Sequence, residues 1–144
     1  PDVKAAIHTH PDHCVALSAT GRVPKAYSQG GALYHDNVGL YTDTMDLIRT
    51  PEMGAGVAKA LANNRACFLK NHGVVVVGAS VADAVIGAIM LEAACRVQLL
   101  AEASGHEPTE FPIEDVKKLQ KNLSHVKQME INFEYLRRKL KRRR

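Results

Sequence analysis

The chain has 144 residues, enough for one domain around one core. Its 46% apolar and 24% charged residues exclude a disordered or membrane-embedded class. The formal charge of +4 is a property of one end: seven of the eight residues 137–144 are basic, and the remainder carries 12 Lys and Arg against 15 Asp and Glu, a net of −3. A terminal basic run with no aromatic residue interleaved reads as a solvated end, so no nucleic-acid partner is expected.

Cys14, Cys67 and Cys95 are odd in number and widely spaced, with no Cys-x-x-Cys. They read as reduced, buried thiols of a cytoplasmic protein. The most apolar stretch, Val81 to Leu100, contains Asp83, Glu92 and Arg96, a poor membrane span, and no membrane partner is expected.

Val3 to Thr9 reads as a strand leading into His10. Pro11 then opens a helix as a first-turn residue, closed at Thr20-Gly21. Between Val23 and Tyr41, Gly30, Gly31 and Gly39 blur the periodicity; a short helix and a strand near Val38–Tyr41 are expected. Thr50-Pro51-Glu52 starts a helix, with Thr as N-cap and Pro at N1, that ends near Asn63-Asn64. Two apolar runs, Ala66 to Leu69 and Val74 to Val77, flank a tight turn at Asn71 to Gly73. Ser80-Val81-Ala82-Asp83 caps a helix running to about Ser104. It is apolar on most sides, which predicts a path through the middle of the fold. After the linker Pro108 to Pro112, Glu114 to about Leu140 reads as one final amphipathic helix, followed by the basic tail 137–144.

Seven histidines are present. His8 and His10 flank Thr9 at a strand end, and residues two apart on a strand share a face. Two such imidazoles can bind one metal. His72 is the best candidate for a third ligand, because it lies at a strand end and Gly73 permits a sharp turn. His-x-His alone is a weak signal. His106 and His125 lie in polar settings and read as exposed, His13 as solvated or supporting, and His35 as a candidate pocket residue.

The run AAIHTHPDHCVALSA, followed by FLKNHGVVVVGASVADA and then LEAA, resembles the class II aldolase/adducin family over roughly residues 2–105. In that family a strand carries His-x-His, a later Asn-His-Gly setting brings the third histidine, and the next helix opens with a Ser-x-x-acidic-Ala pattern. The resemblance implies a three-layer α/β/α fold with a mostly antiparallel central sheet, whereas the alternation of helices and strands alone suggests a parallel one. It assigns His8, His10 and His72 as ligands of zinc or another divalent metal such as manganese. It also implies a homotetramer and a small-molecule substrate.

The implied activity is that of a metal-dependent lyase of carbohydrate metabolism. It would cleave a C–C bond in an aldol, such as a sugar phosphate or related hydroxy-carbonyl compound, by metal stabilisation of an enediolate. Two alternatives are a metal-dependent decarboxylase of a hydroxylated aromatic acid and a non-catalytic adducin-like interaction module. Adducin heads lack the metal site, which disfavours the last. In the family's aldolases the proton carrier is a glutamate upstream of the first histidine pair, and phosphate-binding loops also lie upstream. The chain starts at Pro1, directly before the first strand, so a domain lacking its N-terminal part is expected: core 1–105, C-terminal helix about 114–140, tail 137–144. No catalytic proton carrier is assigned among the residues present, so the chain by itself is expected to bind metal without turning over; Glu52, Glu92 and Glu102 sit in predicted helices and do not match the family position. Tyr135, where some relatives place an acid from a neighbouring subunit, reads as an edge residue of the last helix.

Overall fold

The computed structural model describes residues 3–123 and 126–142. Its elements are β1 (Ala5–Thr9), α1 (Asp12–Ala19), α2 (Gln29–Tyr34), β2 (Val38–Tyr41), α3 (Pro51–Leu61), β3 (Ala66–Leu69), β4 (Gly73–Gly78), α4 (Val81–Glu102), α5 (Ile113–Leu123) and α6 (Val126–Lys141). His125 and the last two residues of the basic tail lie outside the described residues.

The strands form one sheet in the order β1-β4-β3-β2. Pairs β1–β4 and β3–β4 are antiparallel and β2–β3 is parallel. The sheet is therefore mixed. A hairpin turn joins β3 to β4, while α3 supplies the long crossover that a parallel pair requires.

Alternation along the strands divides two cores. Ala66, Phe68, Val74 and Val76 face α1, α2 and α4 together with Cys14, Leu17, Leu33, Tyr34, Leu91 and Cys95. Cys67 and Leu69, with Tyr41 and Val75, face Val57, Ala60 and Leu61 of α3. This is a three-layer α/β/α arrangement, as expected. All three thiols are free and buried. Burial pushes the Cys67 thiol up to about 11, and a hydrogen bond with Cys95, then burial, pushes Cys14 up. Neither Cys14 nor Cys67 is poised as a thiolate ligand.

Five local expectations are corrected. The first strand starts at Ala5 rather than Val3. Pro11 is the N-cap of α1, not a residue of its first turn, and it offers no capping side chain. Helix α3 starts as predicted, with the Thr50 hydroxyl accepting from Met53, but it ends at Ala62, which takes φ +47°, rather than at Asn63-Asn64. Helix α4 is long and apolar enough to cross a membrane by length and composition, yet it lies across one face of the sheet, packed on β1, β4, α1, α2 and α6. It leaves Ile89, Val97 and Leu100 exposed, so it does not run through the middle. The single final helix is two: α5 docks on α2 and α6 on α4. Val116 of α5 is buried against Ala26 and Ala32, and Met129 of α6 is buried as well.

Arg65, before β3, pairs with Asp83 in the first turn of α4, their side chains only 14% and 8% exposed. Asp83 also accepts from the Ala79 amide at 2.9 Å, and the Ser80 hydroxyl accepts from the Asp83 amide at 3.1 Å. Asp83→Ala strands a buried guanidinium and should cost about 3–5 kcal/mol in urea unfolding; a loss below about 1 kcal/mol would show that water reaches the pair.

Candidate metal centre

Strand β1 places Ala5, Ile7 and Thr9 toward the core and Ala6 and His8 outward, in strict alternation. Opposite it, Thr9 pairs with Val74 and His8 with Val75. The register sets the end of β1 beside the β3–β4 turn, where Asn71 adopts φ +60° and His72 follows. His8, His10 and His72 converge there, each offering a ring nitrogen, all within 4.8 Å of one another. Ring centroids lie 4.7 Å apart for His8–His10 and 5.1 Å apart for the other two pairs.

The residues fit a divalent ion. A tetrahedral zinc holds its donors about 3.4 Å apart, a small contraction of this cluster. The His8 Nδ1 lies 2.9 Å from the Val74 carbonyl, which can only accept, so Nδ1 carries the proton and Nε2 keeps its lone pair for a metal. His72 Nδ1 is buried and has no hydrogen-bond partner, an orphan that a metal centre accounts for. Burial first, and then the charges of His8 and His10, hold His72 below its ordinary value, opposed by Asp46. A histidine kept neutral is the ligating form.

Gly73 lets the rings meet. A Cβ there would lie 2.6 Å from the Thr9 carbonyl oxygen and 2.7 Å from Cδ2 of His10. Two supports come from outside the predicted motif. Ser18 is fully buried, and its hydroxyl accepts the Asn71 amide at 3.1 Å. The Glu92 carboxylate accepts the amides of His13 and Cys14 at 3.1 and 3.0 Å, and its Oε1 lies 2.5 Å from His13 Nδ1. Burial would raise Glu92; the His13 ring and these amides outweigh it and hold it below the usual carboxylate range. His13 is thus a supporting residue, not a merely solvated one. His35 lines a shallow cleft between α2 and α5 with Lys117 and Gln120, away from the three histidines. His106 and Tyr135 are exposed. A cleft of about 480 Å³ lies at the opposite end of the sheet. Its charged residues, Arg65 and Asp83, pair with each other.

Residues 1–99 match the class II aldolase and adducin N-terminal domain. The chain belongs to that family. It is 36% identical to the decarboxylase NovR of Streptomyces niveus over 114 residues, covering 79% of this chain and 42% of that protein. Among solved structures, an aldolase II superfamily protein from Pseudomonas syringae superposes with a TM-score of 0.80 at 26% identity, covering 98% of this chain and 57% of that one. The L-fuculose 1-phosphate aldolase of Glaciozyma antarctica PI12 gives 0.77 at 29% identity, covering 94% and 52%. The chain therefore spans about two-fifths of the curated relative and a little over half of each structural neighbour.

Two outcomes are expected. Gly73→Ala forces the rings apart and should weaken zinc binding at least about tenfold in competition with a chromophoric chelator. In the metal-free protein, a lowered His72 value means that the unfolded chain takes up its proton first as pH falls. The contribution is full above about 6.5 and is lost as pH drops toward the lowered folded value. Urea midpoints of chelator-treated protein should fall from pH 7.5 to 5.5, with a shallower fall in His72→Gln.

Proposed function

We propose that this chain forms the metal-binding part of a divalent-metal-dependent lyase that breaks a C–C bond beside a carbonyl. The observation that supports it is the convergence of three imidazole ring nitrogens, with no carboxylate or thiolate in the cluster among the described residues. When bound, a divalent ion keeps its full charge on such donors and supplies an electron sink for a substrate carbonyl with an adjacent hydroxyl. The chain's own part is positional. His8 is fixed in one tautomer by the Val74 carbonyl, and the exposure of His8 and His10 leaves the site open to a small molecule. The likeness to an L-fuculose 1-phosphate aldolase favours an aldol substrate of the sugar-phosphate kind.

A second reading, decarboxylation of a hydroxylated aromatic acid, draws on the likeness to the decarboxylase NovR. Both reactions leave an electron pair beside a carbonyl, so one metal site serves either. A homotetramer in the cytoplasm completes the proposal, the three free thiols fitting a reducing compartment.

The purified protein should take up one equivalent of zinc or manganese, and His72→Ala less than about one-tenth of that. Uptake unchanged by His72→Ala overturns the reading. The loaded protein is then offered L-fuculose 1-phosphate and a panel of dihydroxybenzoates. Aldehyde release supports the aldolase, CO2 without aldehyde the decarboxylase.

A further inference from the structure

The two ligand-bearing segments of the metal centre are held at opposite ends of one short helix. Helix α1 begins two residues after His10, with only Pro11 between them. A helix N-terminus leaves amide donors without partners, and the N-cap side chain ordinarily accepts those of the second and third residues. Pro11 cannot do this. The second and third residues of α1 are His13 and Cys14, and the Glu92 carboxylate, brought from α4, accepts both amides. The cap that β1 and α1 lack is supplied across the fold, and its carboxylate is steadied by the His13 ring. At the far end of α1, the buried Ser18 hydroxyl accepts the amide of Asn71, the residue directly before His72. Ser18 itself donates to the Val15 carbonyl at 2.8 Å, so its lone pair is aimed at the turn. Asn71 sits at φ +60°, a backbone conformation that needs such an anchor.

We propose that Glu92 and Ser18 are positioning residues of the three-histidine centre, acting through α1, with Glu92 holding the His10 end and Ser18 the His72 end. Neither has to touch the metal. The proposal rests on the metal-centre reading.

The test uses cobalt as the metal, because its visible spectrum reports ligand geometry as well as occupancy. Ser18→Ala, Glu92→Gln and Glu92→Ala are compared with the unmodified chain for cobalt affinity, for the spectrum at saturation and for melting of the metal-free protein. Each variant should bind cobalt at least about tenfold more weakly, with a shifted or weakened visible band even when saturated. Ser18→Ala removes a single oxygen and serves where Glu92→Ala does not fold. Folded variants that keep the affinity and the spectrum while melting lower overturn the positioning role and leave only structural caps. An unmodified chain that takes up no cobalt overturns the metal centre itself, and the positioning role with it.

Discussion

The register of β1 against β4 is the constraint on which the site depends. Thr9 faces Val74 and His8 faces Val75, in segments some 65 positions apart in the chain. Strand side chains alternate, so a slip of one residue would carry His8 into the core and Ile7 out of it. Half-buried Ile7, packed against the apolar cluster that contains Phe68 and Val74, therefore sets His8 on the outward face beside His10 and His72. The apolar core and the three-histidine cluster are two faces of one pairing.

Polar interactions lock both ends of that pairing. At one end, the buried Arg65–Asp83 pair ties the start of β3 to the start of α4. At the other, Glu92 and Ser18 fasten α1 to α4 and to the β3–β4 turn. Each replaces something the local sequence cannot supply. Pro11 has no capping side chain, and the turn at Asn71 needs a left-handed residue with its amide satisfied. Buried hydrogen bonds of this kind contribute about 1 kcal/mol each in net terms but cost more when left unmade, which favours a unique arrangement of the site.

Much of this is legible in the sequence, and the parts that are not share a cause. His8 and His10 follow from the period of two along a strand, and His72 from the Asn-His-Gly turn between two apolar runs. The Thr50 and Ser80 caps are local and were readable as such. Glu92 was not, because its role is to satisfy amides 78 and 79 positions away. The signal available was negative: a proline where a capping side chain is usual. The course of α4 and the division of the last helix were equally hidden, since both depend on which neighbours the helices meet. Periodicity marks an apolar face but does not name the surface that covers it. The sheet is mostly antiparallel, as the family resemblance implies, because both partners of β4 are antiparallel; only the β2–β3 crossover is parallel, as alternation of elements suggests.

In the proposed centre, three imidazoles share one divalent ion. X-ray absorption at the zinc edge of the loaded protein tests it most directly. Three imidazole nitrogens at about 2.0–2.1 Å are expected, with the remaining positions filled by oxygen. A sulfur shell at about 2.3 Å, or scattering from fewer than two imidazoles, would contradict it.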